Sequence, residues 1–524
     1  MGMVVNSSAV IPFSIALLAV VIAAVVITKA ALGRRRRRRT AAANNPAPPP
    51  RNDVNTGARR PPAAITGVTS AVRLVHALAT KGFEATLYEQ YAKLGSVFTV
   101  SLFGMKTTTF LAGPDVSAHF YQGPDSEISH GDLLEFTVPM FGEGVAFAVD
   151  TATRAEQHRF YLDALKPARL RCHVAPMLQE VEEFFARWGQ QGTVDLKQEL
   201  EQVLMLITAR CLLGKEVRER MLHEVFSAYR DLTENSLHLT SLLFPYAPTP
   251  AARRRDRARA TLSGIFSEIV RSRRRSGRRA GDDDGDVLQS LVDARYRDGR
   301  GTTEAEVTGL VIAILFAGKH TSSATSTWTG ARLLRHAECL DAAVDEQRRV
   351  VAERGSGVDY DALAEMGFLH CCIKEALRMH PTAPLFLRRA HRGFTVRTRE
   401  GAEYEVPSGQ TVASPLLINH YIPYVYRDPH VYDPRRFGPG REEDRVGGRF
   451  CYNAFSGGRH ACPGEAYAYM QVKVIWSHLL RNFELKLVSP FPRTDWMKLS
   501  PEARGKVVVS YKRRMVPVGS VLEN

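Results

Sequence analysis

The sequence predicts a mainly α-helical body with a minority of β structure, set behind an N-terminal membrane anchor. Three observations predict it. Helical periodicity dominates residues 155 to 351, with long stretches such as Val174 to Trp188 and Leu196 to Leu213. Strand-like patterns are few and short: Val97 to Val100 and Thr107 to Leu111 astride Gly104, then Thr395 to Val406 and Phe483 to Val488. Ala9 to Ile27 form an uncharged apolar run of 19 residues, close to the ~20 that a bilayer helix needs.

No Lys or Arg precedes that run, whereas Lys29 and Arg34 to Arg39 follow it. A signal peptide would carry its charge first. The positive-inside rule predicts a lumenal amino terminus and a cytoplasmic remainder; the alternative for the arginine tract is a nuclear-localisation or solvated segment. Pro46 to Pro50 and Arg59-Arg60-Pro61-Pro62 then predict an extended spacer, because proline fixes φ and removes a backbone donor. The expected division is an anchor at 1–33, a basic, Pro-rich linker at 34–70 and one body at 71–524.

Of the net charge of +15, the tract Arg34 to Arg39 supplies six, and the remaining nine still favour acidic partners or an anionic membrane surface. Charge alone would also suit nucleic acid, but the chain has no zinc-finger spacing, aromatic-studded basic sheet or recognition-helix pattern, so no nucleic acid is expected. Seven scattered cysteines argue against a secreted disulfide framework. Six read as buried small hydrophobes. Arg271 to Asp286 reads as an exposed charged loop.

The seventh cysteine sits in Phe455-Ser456-Gly457-Gly458-Arg459-His460-Ala461-Cys462-Pro463-Gly464, followed by a helical stretch from Glu465 to Leu480. A cysteine just before a helix meets free backbone N–H groups and the positive end of the macrodipole, and both favour thiolate. Glycines let the backbone wrap closely around a flat object. The basic pair Arg459-His460 suits a nearby carboxylate. Such a thiolate can ligate haem iron and push electron density toward O–O cleavage; the bland alternative is a structural cysteine in a Gly-rich turn. The segment resembles the haem-binding signature of the cytochrome P-450 superfamily, Phe-x-x-Gly-x-(Arg/His)-x-Cys-x-Gly. The resemblance implies the cytochrome P-450 fold, a helical haem-thiolate domain with small β-sheets. It also implies haem b with Cys462 as axial ligand, and contacts from Phe455, Gly464, His460 and Arg459. Arg154 or His158 would help at the haem propionates.

Two further motifs agree. Glu375 and Arg378 lie i,i+3 on one helix face, where a carboxylate and a guanidinium fork can take a third partner. They resemble the superfamily's Glu-x-x-Arg, which makes Arg436, before Phe437, the implied structural third member. Val307 to Leu334 predict a long buried helix, uncharged between Glu306 and Lys319. Its Ala313, Ala317 and Thr321 recur every fourth residue as a face of small side chains, leaving room for dioxygen and substrate above an iron. This resembles the oxygen-activation motif Ala-Gly-x-(acid)-Thr with His320 at the acid position, as in sterol 14α-demethylases. Thr321, assisted by His320, would deliver protons.

Phe316 to Ser323, Arg441 to Asp444, Ile475 to Leu485 and Phe136 to Phe147 are similar to plant and green-algal obtusifoliol 14α-demethylases, and the similarity spans residues 71 to 514. It implies removal of the 14α-methyl of a C4-monomethyl sterol as formate, through three O2- and NADPH-dependent oxidations. A membrane-bound NADPH–haemoprotein reductase would supply electrons to a monomeric, single-pass protein of the endoplasmic reticulum membrane, anchored in lipid by its N-terminal helix. Phe136, Met140, Phe141, Phe147, Ala313, Leu385 and Phe386 would line the sterol cavity, although the aromatics of the 136–147 segment read equally well as core. Three departures stand out. Leu134 occupies the place of a propionate-reaching tyrosine, Thr382 to Leu387 replace a simpler aliphatic run, and Leu499-Ser500-Pro501-Glu502 replace an apolar turn at the far wall. An unpaired Glu502 carboxylate there would cost about 2–7 kcal/mol or more. Leu134 and the Leu499 to Glu502 turn keep open a monooxygenase of another terpenoid or lipid; a further alternative, a non-catalytic haem- or sterol-binding protein, is opposed by Thr321 and Cys462.

Overall fold

The computed structural model describes residues 61–102, 106–162, 165–236, 244–277, 286–355, 357–496, 498 and 500–515. The expected membrane anchor, most of the linker and Leu499 lie outside them. Six helices position the site: α1 (Thr151–Leu162), α2 (Leu196–Thr208), α3 (Pro250–Ser276), α4 (Glu304–Arg335), α5 (Gly367–Met379) and α6 (Glu465–Asn482).

α4 is the axis of the helical body and packs against the other four long helices, α2, α3, α5 and α6. A capping box starts it: the Thr303 hydroxyl accepts from the Glu306 amide at 3.2 Å, and the Glu306 carboxylate accepts from the Thr303 amide at 2.7 Å. Among the described residues it is the one helix long and apolar enough to cross a membrane, yet 61% of its most apolar window is buried inside the body. That apolarity serves the core. Its C-terminal half lies along α6, with Ser322 Oγ donating to Gln471 Oε1 at 3.0 Å and Trp476 Nε1 to the Ser326 carbonyl at 3.1 Å. Gly330 allows this approach, since a Cβ there would stand 2.2 Å from the Trp476 ring.

Strands β1 (Ala63–Ile65), β2 (Val97–Leu102), β3 (Lys106–Leu111), β4 (Ile128–Ser129), β5 (Leu385–Ala390) and β6 (Thr411–Pro415) form one sheet in the order β1-β2-β3-β6-β5-β4. The expected hairpin is present, running in register from Val97↔Leu111 to Leu102↔Lys106. Thr395 to Val406 resolve into a second hairpin, Phe394–Arg397 against Glu403–Val406. Phe483–Leu487 pairs with Val508–Arg513, which in turn pairs with Gln191–Asp195.

Three expectations need correction. Folded structure begins before residue 71, because β1 pairs in parallel with β2 and the helix Val68–Lys81 follows. The linker expected at 34–70 therefore includes β1. The charged stretch 271–286 is not all loop: α3 continues to Ser276, and Arg273 is buried. Its guanidinium donates to Asp286 and Glu216, both at 2.6 Å, and to the Leu213 carbonyl at 3.0 Å. A buried guanidinium with two carboxylates is a clamp, and sequence composition alone hides its partners. Cys172, finally, is exposed, whereas Cys211, Cys339, Cys372 and Cys451 are buried as expected.

The Glu375, Arg378 and Arg436 triad is assembled as its motif implies. Arg378 forks onto Glu375 at 2.7 and 2.9 Å, Arg436 Nε donates to Glu375 Oε1 at 3.0 Å, and all three side chains are fully buried. The spare guanidinium donors reach the His420, Arg427 and Val431 carbonyls and Glu443. The triad thus ties α5 to the irregular chain that leads into the Cys462 loop.

Candidate active site

The Cys462 loop is shaped by close approach. Ser456 and Gly458 hold φ of 63° and 62°, and a Cβ on Gly458 would lie 2.0 Å from the Tyr121 carbonyl oxygen. Glycine is therefore required at 458. The Cys462 amide donates to the Phe455 carbonyl at 2.8 Å, closing the loop, and the Phe455 ring lies 5.1 Å from that of Tyr469 on α6. Cys462 is exposed. The Gly464 amide is bonded to the sulfur.

Following the pairing of α6 with α4 back toward both N-termini leads from Cys462 to the Ala313–Thr321 face. Ala317 is exposed and Ala313 and Thr321 are half-buried, while Leu310 to Ile312, Leu315 and Ser322 to Gly330 are buried. Ile314, Phe316 and Gly318 are half-buried as well, so the incompletely packed part of the core helix includes the predicted small-residue face and extends beyond it. Thr321 Oγ1 donates to the Ala317 carbonyl at 2.6 Å. Surface grooves of about 500 and 530 Å³ occur near Arg514 and His119 and include neither Cys462 nor Thr321.

His320 points elsewhere. It is buried against the turn before Glu502–Ala503, sharing a hydrogen bond with the Ser500 backbone, and its Nε2 has no partner. Burial pushes its ring down against the pull of Glu502. Glu502 is itself buried, but it is paired: Lys197 Nζ donates to it at 2.9 Å, and Lys498 is a second donor. Burial alone would raise the carboxyl, but the two lysines outweigh it and hold Glu502 at about 2. The apolar wall is therefore not charged by a lone carboxylate. Because the folded value lies below the ordinary 4.5, this pair stabilises the fold above pH 4.5 and is lost as pH falls toward 2. Glu502→Gln should remove up to about 3 kcal/mol of unfolding free energy at pH 7 and much less near pH 2–3, as read by urea denaturation at both pH values.

Beside the loop lies a concentration of basic groups. His460 Nε2 is 2.8 Å from Asp125 Oδ1, and its ring meets that of His130 edge-on at 4.7 Å. Arg154 is buried, with its guanidinium 5.9 Å from the Phe147 ring. His158 is pushed down to about 4 by burial, then by Arg154 and His460. Arg388 on β5 is 3% exposed with an unpartnered Nε, and burial with neighbouring Arg154 lowers it to about 10. Sequence reasoning found Arg154, His158 and His460 but missed Arg388 and His130. The one available signal was an arginine embedded in a strand of apolar residues. Arg459 does not join the cluster: it is exposed and donates to the Gln122 carbonyl at 3.1 Å.

The expected substrate-lining residues divide. Phe136, Phe147, Leu134 and Leu385 are half-buried, while Met140 and Phe141 belong to the main core, Phe141 lying 5.6 Å from Phe316. Phe386 packs into the separate core of the six-stranded sheet. The period-2 and period-3.6 patterns that suggest a lining are also those of a core, as these three residues show.

A loop cysteine ahead of a helix, a small-residue face on a central helix and a buried Glu–Arg–Arg triad define a haem-thiolate protein. The cytochrome P450 family model matches residues 67–509. Obtusifoliol 14-alpha demethylase of Sorghum bicolor is 50% identical over 88% of this chain and 92% of its own length, and sterol 14-demethylase of Arabidopsis thaliana is 51% identical over 83% and 88%. Lanosterol 14-alpha demethylase of Bos taurus is 34% identical over 88% and 89%. In fold, retinoic acid-bound cyanobacterial CYP120A1 superposes with a TM-score of 0.74 at 20% identity, covering 87% of this chain and all of that one. The chain belongs to the cytochrome P450 family, in its sterol 14-demethylase group.

The residues present fit the haem that this family carries. The orphaned Arg388 Nε and the excess of basic groups over Asp125 and Asp150 call for anionic groups such as two propionates, and the exposed sulfur and Ala317 leave room for a flat macrocycle.

Proposed function

We propose that this protein removes the 14α-methyl group of an obtusifoliol-like, C4-monomethyl sterol precursor, releasing it as formate and leaving a 14,15 double bond. The observation that carries the reading is the incompletely packed stretch of α4 that holds Ala313, Ala317 and Thr321, with Cys462 ahead of the neighbouring α6. When bound, haem supplies the activation of O2. Cys462 Sγ would be its axial ligand, Phe455 and Gly464 would flank the sulfur, and His460, Arg154, His158 and Arg388 would hold its carboxylates. The small side chains of Ala313 and Ala317 admit the substrate, which Phe136, Leu134 and Leu385 border. Thr321 Oγ1 holds a proton that its bond to the Ala317 carbonyl orients. His320 acts from behind α4 rather than from the stripe.

Electrons come from NADPH through a separate haemoprotein reductase, and the apolar run at residues 9–27 anchors a monomer in the endoplasmic reticulum membrane with the body cytosolic. The paired state of Glu502 removes the main reason to favour a different terpenoid or lipid. Incubating the haem-loaded protein with reductase, NADPH and obtusifoliol should give demethylated sterol and formate. Absence of both, together with no sterol-induced Soret shift, contradicts the reading. Thr321→Ala should lower product formation about 10²-fold. NADPH consumption should fall far less, so the product-to-NADPH ratio is the diagnostic.

A further inference from the structure

β4 pairs with β5 at Ile128↔Ala390 and Ser129↔Arg389, which sets His130 beside the strand that carries Arg388. The His130 ring is fixed from two sides, 4.7 Å from His460 and 5.4 Å from Phe147. Despite that packing, its Nδ1 is buried without a hydrogen-bond partner. Nearby, Arg388 is almost wholly buried and its Nε is also unpartnered. Arg388, Arg154, His158 and His460 all act electrostatically on His130, while Asp125 answers Arg388, Arg154 and His460 and Asp150 also answers Arg154. A buried donor left unpaired is costly, and one on a buried guanidinium more so. Two unpartnered buried nitrogens on or beside neighbouring strands, among more basic than acidic groups, call for an acceptor with negative charge, supplied from outside the chain.

We propose that His130 is a binding residue for a haem propionate, donating from Nδ1 to the carboxylate that Arg388 neutralises. The inference rests on the haem reading above and adds a residue to it. His130 lies on the β4 edge of the sheet, far in sequence from the Cys462 loop, so it would tie that sheet to the cofactor and slow cofactor loss.

The test is the rate of haem transfer from the ferric holoprotein to excess apomyoglobin, followed by absorbance. His130→Phe keeps an aromatic ring against His460 and Phe147 but removes the donor, and should release haem about tenfold faster. His130→Gln, which restores an N–H donor without the ring, should return the rate most of the way to that of the parent. An unchanged rate in His130→Phe overturns the proposal. So does a His130→Gln variant that loses haem as fast as His130→Phe, since ring packing would then be the whole effect. A parent protein that retains no haem contradicts the cofactor reading itself, a result distinct from either of these.

Discussion

Cys462→Ser is expected to abolish the thiolate signature of the ferrous–CO spectrum and to reduce sterol demethylation by at least about 10³-fold. A serine hydroxyl has nearly the size of the thiol but stays protonated and donates little charge to iron. The loop itself should survive, because its shape depends on the Gly458 approach to Tyr121 and the Cys462 amide bond to Phe455, neither of which uses the sulfur. Loss of function with an unchanged far-UV circular dichroism spectrum is therefore the expected pair of results. Normal turnover in this variant would refute the assignment of the axial ligand.

Glu375→Ala should cost about 3–5 kcal/mol of stability. The change strips the shared carboxylate from two guanidinium groups that have no access to water, since Arg378 and Arg436 are each 0% exposed. Glu443 would still answer Arg436 at 2.5 Å, but Arg378 would be left with the His420 carbonyl as its one hydrogen-bond acceptor. The Asp433 amide, which donates to Glu375 at 3.0 Å, would lose its acceptor as well. Because the irregular chain beyond residue 420 hangs on this triad, haem content should fall together with the urea midpoint. A variant as stable as the parent would mean that the triad is dispensable to the fold.

These two sites were legible in the sequence for the same reason. The Cys462 decapeptide and the Glu-x-x-Arg pair are local patterns whose spacing carries the chemistry, and each lies on or before a helix whose periodicity is plain. Arg436 required only a downstream Arg-Phe. The small-residue stripe of α4 was equally readable, since Ala313, Ala317 and Thr321 are one helical turn apart. What escaped was pairing across long sequence separation. Glu502 finds Lys197 across 305 residues, and Arg273 finds Glu216 across 57; no pattern along the chain announces either. Arg388 and His130 escaped because a single basic residue in or after a strand carries no periodic signal. Arg459 misled in the opposite direction: adjacency to His460 suggested a shared role, but successive residues of a tight turn face different ways, and Arg459 faces the surface.

The most direct test of the whole account is a crystal structure of the haem-loaded protein. The account predicts iron bonded to Cys462 Sγ, the macrocycle beneath Ala317 and Thr321, and its carboxylates among Arg154, Arg388 and His460. Iron ligated by an imidazole, or a haem bound away from the α4 stripe, would contradict it.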